Sequence, residues 1–153
     1  MAHQSGRKKL VLASGVFDLL HLGHVRFLEE AKKAGGEGAE LIVVVARDST
    51  VEKTKGRKPI MSERERCLLV ASLRVVDRAV LGYEKFDVGE VVEDIKPDVI
   101  ALGYDQQEMI KQVLDYVKEH GSNVKVVRIG KFEENTLDSS SKIKQEIINK
   151  LST

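Results

Sequence analysis

A run of ten residues near the N-terminus combines side chains and spacings that suit phosphate chemistry. The run Gly15-Val16-Phe17-Asp18-Leu19-Leu20-His21-Leu22-Gly23-His24 carries two imidazoles three positions apart. It lies between a short apolar run and an amphipathic one, so we expect a strand, a loop and a helix starting near His24. Free N–H groups at a helix N-terminus favour the binding of an anion. Because Gly15 and Gly23 have no side chain, the backbone at these positions can approach the bound anion closely. These features predict a site that stabilises developing charge during phosphoryl or nucleotidyl transfer.

Two other interpretations of the same histidines remain open. A His-x-x-His pair also occurs in zinc sites. Structural zinc sites have four protein ligands, however, and no further ligands follow here at a suitable spacing. The imidazoles could instead only cap the helix, which is the usual interpretation of such residues in isolation. Gly15, Phe17 and Asp18 at fixed positions favour the phosphate site.

A second group of charged residues follows the second predicted strand. We expect the polar stretch 47–61 to be a loop. Its basic residues are Lys53, Lys55, Arg57 and Lys58. Such a run is usually solvated surface, but the carboxyl end of a parallel strand is where ligands bind. Arg66 and Arg74 follow on a helix introduced by the capping-box pattern of Ser62 and Glu65, and eight residues place two side chains about 80° apart around a helix.

Two further segments carry polar side chains after strands. Asp138-Ser139-Ser140-Ser141-Lys142 opens the last predicted helix, where one hydroxyl is enough for a cap and the others can bind phosphate. Asp105, within Leu102-Gly103-Tyr104-Asp105-Gln106, follows the fourth strand. It either caps the next helix or lies near a ligand, and both roles stay open.

The elements that must position these residues alternate along the chain. Apolar runs predict strands at 10–13, 41–46, 75–81, 98–103 and 124–129, and amphipathic runs predict helices at 24–34, 62–73, 88–95, 106–120 and 139–151. This alternation predicts one α/β domain, Rossmann-like, with a five-stranded parallel sheet and helices on both faces. We place the domain at residues 9–153, after a flexible N-terminal tail of residues 1–8.

Composition narrows the function classes. The chain of 153 residues carries 25 basic and 24 acidic residues, a formal net charge of +1, which disfavours a nucleic-acid partner. Its single cysteine, Cys67, cannot form an internal disulfide, so we expect a reducing, cytoplasmic setting. No apolar run approaches the ~18 residues of a membrane-spanning helix, so we expect no membrane partner.

The motifs carry a resemblance to a known family. Gly-x-Phe-Asp-x-x-His-x-Gly-His resembles the signature of the HxGH cytidylyltransferase-like nucleotidyltransferase superfamily, with Val16 where many members have threonine. The stretch 53–66 is similar to the loop and helix of glycerol-3-phosphate cytidylyltransferase-like enzymes. With Ala46-Arg47-Asp48 and Leu102–Gln106, the pattern looks most like the archaeal FAD synthases, small single-domain enzymes that adenylylate FMN. The resemblance covers roughly residues 9–150.

The resemblance implies roles for individual residues. It implies catalysis by His21, His24 and Lys55. It implies nucleotide contacts from Gly15, Val16, Phe17, His21, Leu22, Gly23, His24, Asp105, Phe132, Ser140, Ser141 and Lys142. Phe132 matches an aromatic position near the adenine, although an isolated phenylalanine is more often core. Arg66 and Arg74 would bind the acceptor phosphate. Asp18 would lie nearest a divalent cation, for which we expect Mg²⁺ held largely by substrate.

The implied reaction is FMN plus ATP giving FAD and pyrophosphate, by direct in-line attack with no covalent enzyme intermediate. The small-molecule partners are then ATP and FMN, and a homodimer stays open. A CTP-dependent cytidylyltransferase acting on glycerol 3-phosphate or a related alcohol phosphate would use the same phosphate residues. Non-enzyme alternatives are a nucleotide-sensing module on this fold and a flavin or nucleic-acid binder.

Overall fold

The computed structural model describes residues 7–85, 87–131 and 137–152, in which strands and helices alternate except for two consecutive helices between the second and third strands. In chain order the elements are β1 (Leu10–Gly15), α1 (Leu22–Ala34), β2 (Glu40–Val45), α2 (Asp48–Lys55), α3 (Glu63–Ala71), β3 (Arg78–Leu81), α4 (Val88–Ile95), β4 (Val99–Gly103), α5 (Gln107–His120), β5 (Lys125–Ile129) and α6 (Ser140–Leu151). The five strands are parallel, in the order β3-β2-β1-β4-β5. The strand order reverses between β1 and β4, which is the ligand-binding switch point of such sheets. The predicted Rossmann-like fold is confirmed.

Alternate residues of the strands supply two separate cores, because neighbouring side chains of a strand point to opposite faces. On one face, Val11, Ala13 and Val43 pack with buried residues of α1 and α3. On the other face, Leu12 and Val44 pack with buried residues of α4 and α5. Residues 41–45 of β2 are all buried, as the continuous apolar run predicted. Both faces of the sheet are therefore covered by helices.

One helix was not expected from the sequence. Residues 47–61 were predicted to be a loop, but the chain forms α2 from Asp48 to Lys55. Only Val51 of this helix is buried, so it lacks the apolar repeat that identifies a helix in a sequence. Gly56, with φ of 71°, ends it in the left-handed conformation that glycine adopts readily.

The bounds of other elements differ from the predicted ones in ways that affect the site. α1 begins at Leu22, and its N-cap is His21 rather than a residue near His24. α3 ends at Ala71, so Arg74 lies beyond the helix and the predicted 80° relation between Arg66 and Arg74 is wrong. The strand predicted at 75–81 is shorter and begins at Arg78.

The described residues at the two ends of the chain add little to the core. Residues 1–6 of the predicted tail lie outside the described residues, whereas Arg7 and Lys8 are exposed and form ion pairs with Asp98 (2.7 Å) and Glu40 (3.7 Å). The C-terminal α6 has no buried residue. Among the described residues, no helix has the length and apolarity needed to cross a bilayer.

Candidate active site

The carboxyl ends of β1, β4 and β5 and the N-termini of α1 and α6 enclose an open cleft of about 540 Å³. It lies over the β1–β4 switch point, the expected place for a ligand. The cleft brings together most of the predicted site residues: Gly15, Val16, Phe17, Asp18, His21, Gly23, His24, Lys55, Asp105, Ser140, Ser141 and Lys142. Leu22, Arg66 and Arg74 do not line it, and Phe132 lies outside the described residues.

His21 and His24 are joined by two reciprocal hydrogen bonds. The backbone N–H of His24 donates to Nδ1 of His21, and the backbone N–H of His21 donates to Nδ1 of His24, each at 3.3 Å. This is a capping box built from two histidines instead of serine and glutamate. A nitrogen that accepts from a backbone N–H carries no proton, so geometry assigns the single proton of each neutral ring to Nε2. The two rings stack with centroids 3.7 Å apart.

Burial keeps both imidazoles neutral near pH 7. It is the largest cause that lowers the pKa of His24 to about 3, and the neighbouring His21 and Lys55 lower it further, against the opposing effect of Asp18. Burial likewise lowers the pKa of His21, although Asp138 acts to raise it. Each ring lines the cleft and therefore carries one N–H donor there without a full positive charge.

The loop after β1 is held in an uncommon backbone conformation. Phe17 and Leu19 have φ angles of 55° and 57°, which lie in the left-handed region that residues other than glycine rarely adopt. The buried Phe17 ring lies 5.3 Å from the His24 ring. A Cβ added to Gly15 would come within 2.9 Å of the Phe17 ring. Gly15 was expected to let backbone approach a ligand; in the structure the space it leaves accommodates Phe17.

Gly23 brings the two helix N-termini of the cleft together. A Cβ at this position would lie 2.3 Å from the carbonyl oxygen of Asp138, so only glycine allows the start of α6 to rest against the start of α1. The Ser139 hydroxyl caps α6 by accepting from the Lys142 N–H at 3.2 Å. Capping therefore takes one of the three serines, and Ser140 and Ser141 line the cleft in the first turn of α6.

Lys142 and Asp138 form an ion pair at the same helix start, with Lys142 Nζ 2.5 Å from Asp138 Oδ1. The Lys142 side chain is half exposed, whereas that of Asp138 is nearly buried. A bound phosphate would compete with Asp138 for this ammonium. Asp138 was not singled out in the sequence as a site residue, and its spacing of four from Lys142 on a helix start was the available signal.

Gln106 ties together the two strands at the switch point. Its side-chain oxygen accepts from the Gly103 N–H at 2.8 Å, and its side-chain nitrogen donates to the Ser14 carbonyl at 3.1 Å. Gln106 is also the N-cap residue of α5, so the capping role left open for Asp105 is not the one observed. Asp105 is instead exposed at the cleft, beside the half-exposed Tyr104.

The predicted metal role of Asp18 does not agree with its contacts. Asp18 is buried, and its two carboxylate oxygens accept from the N–H groups of Ile60 (2.8 Å) and Met61 (2.9 Å). The carboxylate thus holds the segment before α3 against the loop after β1. Over residues 7–85, 87–131 and 137–152, no group of three or more histidine, cysteine, aspartate or glutamate side chains is placed to hold a metal ion.

The contacts of Arg66 do not fit the predicted acceptor-phosphate role. Its side chain is fully buried, and its guanidinium donates to the carbonyls of Val16, Ala46 and Met61 and to the Asp48 carboxylate. A group with these partners cannot also reach a ligand in the cleft. Arg74 is exposed but lies outside the cleft, so neither arginine is placed to hold an acceptor there.

Comparisons with known proteins identify the family of the chain. A model of the cytidylyltransferase-like family matches residues 12–146. The FAD synthase of Aciduliprofundum boonei is 50% identical over 92% of this chain and 91% of its own length. That of Methanothermobacter marburgensis is 48% identical over 91% of this chain and 85% of its own length.

Solved structures show the same fold. A crystal structure from Thermoplasma volcanium, described as a lipopolysaccharide core biosynthesis protein, is 46% identical and superposes with a TM-score of 0.74, covering 83% of this chain and 100% of that one. A pantoate-β-alanine ligase from Francisella tularensis shares the fold alone, with a TM-score of 0.61 and 14% identity over 91% of this chain and 65% of that one. The chain belongs to the cytidylyltransferase-like family and is a nucleotidyltransferase.

Proposed function

We propose that this chain is a FAD synthase, which transfers the AMP part of ATP to FMN and releases pyrophosphate. The relatives that carry that name are 50% and 48% identical in sequence to this chain over 92% and 91% of its length. The single observation in the structure that carries the proposal is the His21–His24 pair. The pair presents two neutral Nε2–H donors in a cleft formed at helix N-termini, which suits a phosphate that gains negative charge.

The triphosphate of ATP fits the cationic and N–H-rich side of the cleft. The N-termini of α1 and α6 meet there, and each helix start carries a partial positive charge. Ser140 and Ser141 supply hydroxyl donors, and Lys55 and Lys142 supply charge. We assign the β- and γ-phosphates to these four side chains and the α-phosphate to the two histidines.

Direct attack by the FMN phosphate on the α-phosphorus requires no protein nucleophile. The phosphate oxygen forms a bond to phosphorus as the bond to pyrophosphate breaks, and the adenylyl group moves in one step. Positioning and charge stabilisation are what such transfers require of a protein. The neutral imidazoles, Lys55 and Lys142 would stabilise the charge on the oxygens of the transferring and leaving phosphates.

The acceptor needs a place for a flat aromatic ring as well as for its phosphate. Among the cleft residues that the structure describes, Phe17 is buried, whereas Tyr104 is 48% exposed. The Gln106 side chain donates to the Ser14 carbonyl and accepts from the Gly103 N–H, and these bonds hold the turn that carries Tyr104. An exposed aromatic residue on a held turn at the cleft supports binding of a flavin or an adenine by stacking.

We also propose that the reaction uses a divalent cation, with Mg²⁺ the expected one. The donor set of the described residues does not form a protein cage, because the Asp18 oxygens accept backbone N–H groups. Mg²⁺ commonly reaches such sites on substrate phosphates, where it neutralises charge. The protein residues named above would then bind the nucleotide with its cation.

The test is pyrophosphate release by the purified protein with each combination of nucleotide and acceptor: ATP or CTP with FMN or glycerol 3-phosphate. The proposal predicts release with ATP plus FMN alone. Release only with CTP would exclude it and favour a cytidylyltransferase. No release with any pair would favour a nucleotide-sensing module on the same fold.

A further inference from the structure

Arg66 is a fully buried cation outside the cleft, and its contacts join four separate points of the chain. One terminal nitrogen of its guanidinium donates to the carbonyls of Val16 and Ala46, both at 2.7 Å, which follow β1 and β2. Its Nε donates to the Met61 carbonyl at 3.0 Å. The other terminal nitrogen contacts the Asp48 carboxylate at 2.6 Å, at the start of α2. Burying a charge is costly unless partners satisfy it, so the set of contacts must be kept together.

The same segment is held from its other side by Asp18. The N–H of Met61 donates to Asp18 and the carbonyl of Met61 accepts from Arg66, so both backbone groups of this residue are fixed. We call Arg66, Asp18, Asp48 and Met61 the clamp. It fixes the chain immediately before and after one segment, residues 49–60, which contains α2 beyond its first residue and the turn after it.

Lys55 lies inside that segment, at the end of α2 and at the edge of the cleft. Residues 52–58 are all exposed, and Val51 is the buried residue of α2. Packing of the helix is therefore slight, and the two fixed ends decide where Lys55 lies. Lys55 and both histidines line the same cleft, and the charge of Lys55 lowers the pKa of His24.

We propose that Arg66 is a positioning residue: by clamping both ends of the segment 49–60 it places Lys55 opposite His24 for nucleotidyl transfer. This rests on the proposed function. Arginine suits the role because its planar guanidinium donates to several acceptors in fixed directions, whereas the lysine ammonium is a compact point charge on a flexible chain. Displacement of a charged group by about 1 Å can lower a rate about hundredfold, so small movements of α2 matter.

The test is a double-mutant cycle on FAD formation with four proteins: wild type, Arg66→Lys, Lys55→Ala, and the two changes together. We expect Arg66→Lys to lower kcat at least about tenfold with little change in KM for FMN. In the Lys55→Ala background the same change should lower kcat less than about twofold, because there is no lysine left to position. Arg64→Lys, an exposed neighbour on α3, should leave kcat unchanged.

The proposal is overturned if Arg66→Lys keeps wild-type kcat, or if the two single effects multiply in the double variant, which is what a general structural role produces. Circular dichroism checks that each variant is folded. If Arg66→Lys does not fold, Asp48→Ala replaces it in the cycle, since it removes the carboxylate partner of the clamp and keeps the three carbonyl contacts. Absence of FAD formation by the wild type would refute the proposed function instead, whereas a lack of coupling in an active wild type refutes only the role of Arg66.

Discussion

At the scale of single residues, the two histidines act as a pair whose tautomers the backbone fixes. The motif predicted that both imidazoles would serve phosphate chemistry, and both line the cleft. The reciprocal hydrogen bonds could not be predicted, because a capping box is normally recognised by serine or threonine with glutamate. The stacked, neutral pair explains how two histidines share a small space without repulsion.

Replacement of His24 by alanine should lower kcat for FAD formation far more than it lowers stability. Loss of one donor to a developing oxyanion commonly costs about 10²–10³ in kcat. The variant also loses a half-buried ring on the surface of the cleft rather than in a core, so its melting temperature should change little. Steady-state kinetics and a thermal melt measure the two effects, and near-normal turnover would refute the role of the motif.

The low pKa of His24 predicts a pH dependence of stability. The folded protein holds this imidazole neutral down to about pH 3, whereas in the unfolded chain it gains a proton near pH 6.5. Below pH 6.5 the unfolded state therefore binds more protons, and stability falls as pH drops towards 3, with a slope of at most about 1.4 kcal/mol per pH unit from this group. His24→Asn should unfold with a flatter dependence over that range in urea titrations at several pH values. If the stability of the variant depends on pH as steeply as that of the wild type, the low pKa is not that of His24.

For two charged residues, ligand contacts could not be predicted from residue type and spacing in the sequence. Arg66 and Asp18 stand in motifs rich in charge, and both were expected to meet ligands. Each is buried and binds backbone groups from segments far along the chain. Type and spacing are the same for a ligand-binding charge and a buried structural one, and only the tertiary contacts distinguish them.

At the scale of elements, the cleft depends on the contact between the starts of α1 and α6. The sequence predicted a helix after each motif, but it could not show that Gly23 makes the two helices meet. It also missed α2, because one buried residue gives no periodic pattern. Helices that pack weakly and carry site residues are the ones that pattern analysis is least able to find.

Substitution of Gly23 by alanine should raise KM for ATP. The added methyl would clash with the Asp138 carbonyl, a backbone atom, so the start of α6 must move away from α1. Ser140 and Ser141 would then shift relative to His21, and we expect an increase of about tenfold or more in KM for ATP, given how strongly such contacts depend on position. Initial-rate kinetics at varied ATP measure this, and an unchanged KM would mean that the serine end of α6 does not hold the nucleotide.

At the scale of the whole molecule, the order of elements alone predicted the parallel sheet and the edge at which ligands bind. The alternation of apolar runs was sufficient because buried parallel strands read as continuous apolar segments. The sequence did not distinguish which base or which acceptor binds. That choice depends on shape and stacking around Tyr104 and Asp105, which the fold does not determine.

Binding of the divalent cation to the protein should depend on bound nucleotide, since the described residues form no group of ligands that could hold a metal ion alone. We expect Mn²⁺, used as a spectroscopic probe for Mg²⁺, to bind the protein only when ATP is present, as measured by electron paramagnetic resonance. Chelation with EDTA should abolish FAD formation, and added Mg²⁺ should restore it. Tight Mn²⁺ binding to the protein alone would show that the protein itself supplies a site.

The measurement that tests the central claim most directly is the identification of products from ATP and FMN by mass spectrometry, with pyrophosphate quantified in the same reaction. The account predicts FAD and pyrophosphate in equal amounts, with formation of both greatly reduced in His24→Ala. If the wild-type protein forms no FAD from this pair, yet forms a cytidylyl product from CTP and an alcohol phosphate, the proposed function is wrong.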